Sequence, residues 1–167
     1  MTQITDSIEI GCSPEKVYHY IAKVEKWPTW FLELGTVDKA EGDGDAGTRV
    51  EQTHSLLGID IEFVTTVMAS GPKDDGSYEW RAKRVGGLPG SHSMDFVGQD
   101  GKTLVTSTLD YDLPGGIFGK AFDHLGAKAA IEHWVRHSLS ALKELAEEDW
   151  VLGLDEDEEQ WPRICDS

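Results

Sequence analysis

Hydrophobic and polar positions alternate from the start of the chain. Ile4, Ile8 and Ile10 share one face of residues 3–10 with Asp6, while Thr5, Ser7 and Glu9 share the other; this is the period-2 pattern of a strand. Ser13-Pro14-Glu15-Lys16 then reads as a helix start, with Ser13 as N-cap, Pro14 at the first helical position and Lys16 where a capping box would carry Glu. Val17, Tyr18 and Ile21 follow at helical spacing. Trp27-Pro28 is expected to end that helix, and residues 29–34 to form a second short helical turn. A Gly/Asp-rich stretch at 41–47 has the composition of a hairpin turn. Strand-like runs at 35–41, 47–55, 58–69, 76–85, 91–98 and 103–112 surround it or follow it, divided by LLG, GPKDDG, GGLPG and QDGK. Short connections of this kind make the pairing antiparallel.

After Pro114 the period changes to that of a helix, predicted over 117–147. Phe118, Phe122, Leu125, Ala129, Val135, Leu139 and Leu142 form its apolar stripe. Thirty helical residues span about 45 Å, enough to cross a small sheet. The predicted order is strand, two short helices, six strands and one long helix, an α+β domain without internal repeats.

Charge adds a second feature. The 167 residues carry 15 Lys+Arg against 31 Asp+Glu, a formal charge of −16. Such a balance argues against binding to nucleic acid through phosphate neutralisation and against docking on anionic membranes through a basic patch. Between Glu147 and Ser167, nine acids against the single base Arg163 account for −8 of that total. This divides the chain into a domain at 1–147 and an acidic C-terminal tail at 148–167 containing Trp150 and Trp161. The tail is a candidate contact for a protein partner or for a second copy of the chain. No apolar run is long enough to cross a membrane and MTQITDSIEI lacks a signal-peptide core, so a cytoplasmic location is expected. Cys12 and Cys165 lie far apart with no metal-ligand spacing.

Three segments carry a resemblance. IEIGCSPEKVYHYIAKVEKWPTW, AGTRVEQTH and GKTLVTSTLDYDLPGGIFG, the last followed by the long helix, resemble the opening strand and helices, a Gly-Thr strand start and the closing strand of the START/SRPBCC superfamily. That group includes small polyketide cyclase/dehydrase and lipid transport-like proteins. The resemblance implies a helix-grip fold, with a curved antiparallel sheet of six or seven strands wrapped around the C-terminal helix. It also implies a cavity for an apolar ligand between sheet and helix.

Strand parity and helix spacing supply candidate cavity residues: Ile61, Phe63, Tyr78, Trp80, Met94, Phe96, Leu109 and Tyr111 from the strands, and Phe118, Phe122 and Leu125 from the helix. Each serves equally well as core packing. Trp27, Trp30 and Phe31 are expected at the cavity mouth. Ile59 and Val105 share the inward parity. Charged residues at Arg49, Glu51, Asp60 and Glu62 are expected to pair across neighbouring strands on the solvent face.

His92 shares parity with Met94 and Phe96, and Arg84 with Tyr78 and Trp80; with Tyr111 these are the candidate catalytic groups. An inward arginine suits a ligand carboxylate or enolate. His133 and His137 stand at i, i+4 but lack HExxH and sit off the apolar stripe, so no metal site and no cofactor are expected. No GxSxG or phosphate loop is present.

Three readings follow. The leading one is a carrier or sensor of a small hydrophobic molecule such as a lipid, polyketide or aromatic metabolite. The second is a polyketide cyclase or dehydratase using polar residues in the cavity. The third is a regulatory or assembly module acting through the tail.

Overall fold

In the computed structural model, residues 2–31, 34–113 and 124–152 are described. Strand β1 (Thr2–Ile10) leads into helix α1 (Pro14–Ala22), a 3-10 turn at Val24–Lys26 and a short helix α2 (Trp27–Trp30). Six strands follow: β2 (Leu34–Glu41), β3 (Arg49–Leu56), β4 (Ile59–Pro72), β5 (Tyr78–Gly86), β6 (Gly90–Gln99) and β7 (Lys102–Tyr111). Helix α3 (His124–Leu152) comes last.

All seven strands form one antiparallel sheet in the order β1-β7-β6-β5-β4-β3-β2. The meander β2 to β7 is therefore closed on one side by the first strand, in register from Thr2↔Tyr111 to Ile10↔Thr103. Irregularities in pairing lie between β2 and β3 and between β4 and β5 at Val67/Ala69. Bulges of this kind bend and twist a sheet locally. Helix α3 packs on β1 and α2 and reaches β3, so it crosses the inner face from one edge toward the other. This is the helix-grip arrangement.

Local chemistry explains the helix starts. The Ser13 hydroxyl accepts a hydrogen bond from the Lys16 amide at 3.4 Å, and Pro14 stands in the first turn of α1. Proline also explains a departure from the sequence reading. The first helix ends at Ala22 rather than at Trp27-Pro28, and Pro28 stands inside the first turn of α2, so the second helix occupies 27–30 instead of 29–34. A ring that fixes φ and lacks an N–H fits a first turn better than a helix end. Leu34 already belongs to β2.

The turn between β2 and β3 is pressed against the end of α1. A Cβ on Gly44, whose φ is +131°, would stand 1.7 Å from the carbonyl oxygen of Ala22, so only glycine permits this approach.

Helix α3 runs on to Leu152, past the boundary drawn at 147, while its expected beginning, including Phe118 and Phe122, lies outside the described residues. The Glu147 carboxylate accepts from the Gly11 amide at 2.8 Å and from Lys143 at 2.9 Å, tying the helix to the end of β1. The buried stripe consists of Ala127, Ile131, Trp134, Val135, Ser138, Leu139, Leu142 and Ala146. Ala129, expected on that stripe, is exposed. Val135, Leu139 and Leu142 lie on the buried stripe as expected, and Ala127, Ile131 and Trp134 hold the turns around Ala129.

The expected charge pairs across strands are replaced by pairs along them. Arg49 meets Glu51 at 2.8 Å on its own strand, and Thr53, not Arg49, stands opposite Glu62. Among the described residues, no helix is long and apolar enough to cross a membrane.

Candidate functional site

The inner face of the sheet is unusual in its polar content. Five consecutive strands, β3 to β7, each turn at least one polar side chain inward: Gln52 and His54, Thr65, Arg84, His92, and Ser107. Aromatic rings from α2 (Trp27, Trp30) and the following Phe31, together with Trp134 of α3, close over them. Strand alternation places these groups. On β3, Val50, Gln52, His54 and Leu56 are buried while the residues between them are half-exposed. On β5, Trp80, Ala82 and Arg84 form the inward file. Arg84 lies opposite Gly90 on β6 and Thr65 on β4, so the neighbouring position on one side carries no side chain and leaves room for the guanidinium.

Two small chambers, each about 20 Å³, lie within this interior. One is bordered by Trp30, His92, Met94, Ser107, Leu109 and Ser138. The other is bordered by Gln52, His54, Phe63, Thr65, Trp80 and Arg84. Phe31, His92 and Trp134 border both and separate them. Larger volumes are surface clefts: about 710 Å³ between α1 and the β2–β3 turn, about 680 Å³ along β5 and β6, and about 170 Å³ where Leu56 and Leu57 meet Ala130 and Trp134. The second cleft also touches Arg84 and His92, which thus stand between it and the interior. We place the site in the chambers rather than the clefts, because only there do buried polar groups converge under apolar walls.

The hydrogen bonds inside define proton positions. Thr65 donates its hydroxyl to the Gln52 side-chain oxygen. The Gln52 amide nitrogen is left to donate to His54 Nε2, 3.4 Å away. His54 then carries its own proton on Nδ1, which finds no partner. His92 Nε2 pairs with the Ser107 hydroxyl at 2.8 Å. Burial, and after it the charge on Arg84, push both imidazoles down to about 3. Both rings are therefore neutral at neutral pH.

Arg84 is 4% exposed, and its Nε and Nη2 have no hydrogen-bond partner. Its guanidinium carbon lies 5.3 Å from the centre of the Phe63 ring. Burial lowers its pKa to about 10, with no carboxylate among the described residues opposing the shift, so it stays charged. The indole N–H groups of Trp80 and Trp134 and the Ser138 hydroxyl are likewise buried without partners. Trp27 and Trp30, in contrast, donate to the carbonyls of Ile21 and Tyr20 at 2.9 and 3.1 Å.

The sequence-derived candidates divide accordingly. Trp27, Trp30, Phe31, Phe63, Trp80, Met94 and Leu109 border one or both chambers, as do Arg84 and His92. Ile61, Phe96 and Tyr111 are buried but border neither, and Tyr78 stacks on Tyr18 at 4.8 Å. Tyr111 therefore does not join His92 and Arg84. Phe118, Phe122 and the Leu125 side chain lie outside the described residues, as does residue 153 onward of the tail. Gln52, His54, Thr65, Ser107, Trp134 and Ser138 border the chambers without having been singled out. His133 and His137 are exposed, with ring centres 3.9 Å apart, and no cluster of three metal-ligating side chains occurs among the described residues.

Comparison with known proteins agrees with this architecture. The model of one family, described as polyketide cyclase / dehydrase and lipid transport, matches residues 1–147. No curated protein matches. Among solved structures, the Zhui aromatase/cyclase from Streptomyces sp. R1128 is similar with a TM-score of 0.69 at 15% identity, over 89% of this chain and 94% of its own. A START superfamily protein from Mycobacterium smegmatis gives 0.63 at 18% identity, over 87% and 97%. A norcoclaurine synthase from Thalictrum flavum, a point mutant in complex with a transition state analogue, gives 0.55 at 17%, over 88% and 94%. At these identities the likeness is one of fold.

Proposed function

The chain belongs to the polyketide cyclase / dehydrase and lipid transport family, and from that premise we propose that it binds a small, largely apolar molecule between the sheet and α3. The observation that carries this reading is the pair of chambers walled by Trp, Phe and Met side chains and divided only by Phe31, His92 and Trp134. Each chamber alone has room for about one water molecule. A ligand therefore enters by moving the dividing rings and merging the two spaces. Trp134 is suited to that movement, since no hydrogen bond holds its indole N–H.

Carriage or sensing is favoured over turnover. A general base works best when its pKa is near the working pH, whereas both interior imidazoles sit near 3. The His92–Ser107 pair has the geometry of a base and a nucleophile, yet among the described residues no carboxylate borders either chamber to orient the ring. One observation supports a second reading as a cyclase or dehydratase: Arg84 and His92 border the same chamber, placing a cation beside a neutral proton acceptor.

Native mass spectrometry of protein purified from its own host, followed by solvent extraction, tests the proposal. A non-covalent adduct that extracts as an intact apolar molecule is the expected result. If nothing copurifies and added apolar probes do not bind, the proposal fails. Chemical conversion of an added ligand moves the assignment to the second reading.

A further inference from the structure

The buried groups without partners share one property. His54 Nδ1, Trp80 Nε1, Arg84 Nε, Arg84 Nη2 and Trp134 Nε1 are all N–H donors, and their side chains border a single chamber. Ser138 in the adjoining chamber can donate or accept. The acceptors Gln52 Oε1 and His54 Nε2 are already engaged, by Thr65 and Gln52, and His92 Nε2 pairs with the Ser107 hydroxyl. Buried polar groups in folded proteins are nearly always paired, so a donor-rich interior is complementary to a ligand rich in acceptors.

Charge narrows the class further. Among the described residues, Arg84 is the one cation bordering the chamber, and no Asp or Glu borders it. Among the described residues, Arg84 takes part in no ion pair, whereas the outward-facing Arg81 of the same strand meets Asp95 at 2.6 Å. The neighbouring strand β6 thus supplies a carboxylate to the solvent-facing arginine of β5 and, among the described residues, none reaches the buried one. A buried guanidinium needs a full countercharge, which a carboxylate supplies at neutral pH and a neutral phenol or enol does not. The planar fork of arginine also fits a carboxylate by two parallel hydrogen bonds.

Resting on the reading of the interior as a ligand site, we propose that the ligand is an amphipathic acid. Its carboxylate meets Arg84, with the Trp80 indole and His54 Nδ1–H as further donors. Its apolar body lies against Phe31, Phe63 and Trp134. The protein surface, at a formal −16, repels such an anion. The attraction therefore comes from inside, where screening by salt is weak.

The test uses a matched pair of probes, 2-naphthoic acid and 2-naphthamide, titrated into the full chain by calorimetry and by quenching of tryptophan fluorescence. The wild type is expected to prefer the acid by about tenfold to a hundredfold, the range for hydrogen bonds to a charged group. In Arg84→Met the acid loses that preference, and Arg84→Lys regains part of it. Circular dichroism confirms that each variant is folded. Equal affinity for acid and amide in the wild type overturns the acid assignment while leaving an apolar site. A preference that survives Arg84→Met overturns the role of Arg84. Binding of neither probe overturns the cavity reading and this assignment together.

Discussion

Replacing Arg84 with methionine should make the unliganded protein more stable. The wild-type guanidinium is 4% exposed and leaves two N–H donors without acceptors. Each orphan donor costs about 1–3 kcal/mol. The guanidinium over the Phe63 ring at 5.3 Å returns part of this, about 1–2 kcal/mol for a desolvated contact. For the two donors together the balance is a net penalty of roughly 0–5 kcal/mol, about 2.5 kcal/mol at the middle of the range. Methionine keeps most of the unbranched stem, removes both donors and relieves the charge. In a chain of this size each kcal/mol moves Tm by about 2–4 °C, so at the middle of that range Arg84→Met should melt about 5–10 °C higher, read by differential scanning calorimetry and urea titration without ligand. Arg84→Lys keeps the charge and should show no such gain. Arg81→Met is the control, because it removes a partly exposed bridge to Asp95, worth under about 1 kcal/mol. A wild type that is more stable than Arg84→Met would show that the guanidinium is already satisfied in the unliganded fold, and the argument from orphan donors would be wrong.

Other outcomes follow from the same interior. His54 and His92 sit near 3 when folded against an ordinary 6.5, so between those values the unfolded chain binds more protons than the folded one. Their contribution is complete above about pH 6.5 and is lost as pH falls toward 3, by up to about 1.4 kcal/mol per pH unit per histidine, less for the half-buried His92. Melting curves from pH 7.5 to 4.5 should fall steeply, and the double variant His54→Gln/His92→Gln should flatten them; a flat wild-type curve would refute the neutral-imidazole assignment. Trp80 is 1% exposed and borders the chamber, so Trp80→Ala should cost about 3–5 kcal/mol in stability and weaken binding of 2-naphthoic acid. Unchanged affinity in that variant, with the stability loss intact, would assign Trp80 to the core alone.

Much of the fold is visible in the chain itself. Every strand follows from alternation bounded by Gly, Pro and Asp, because one face of each is buried and the turns need residues that tolerate their backbone angles. The departures occur where one residue type serves two purposes. Pro28 suits both a helix end and a helix start, and only the packing of Trp27 and Trp30 selects the start. On α3 the expected stripe holds at Val135, Leu139 and Leu142 and fails at Ala129, where a small residue marks neither face and Ala127, Ile131 and Trp134 are buried instead.

The site was legible unevenly. Apolar neighbours gave the inward parity of Arg84 and His92, whereas Gln52 and His54, which share the parity of Val50 and Leu56, were not singled out. A polar side chain on an inward face breaks the hydrophobic pattern that would reveal it. That five strands place such groups side by side depends on long-range register, and that Arg84 has no acidic partner depends on what other elements bring to it. Neither is encoded in spacing along one strand.

The interior site is tested most directly by the indole N–H signals in a ¹H–¹⁵N spectrum of the full chain during titration with 2-naphthoic acid. Trp27 and Trp30 already donate to backbone carbonyls, while Trp80 and Trp134 have no partner. The account predicts that the Trp80 and Trp134 signals shift most and saturate together with the heat of binding. Saturable binding that leaves both signals in place would put the ligand elsewhere and contradict it.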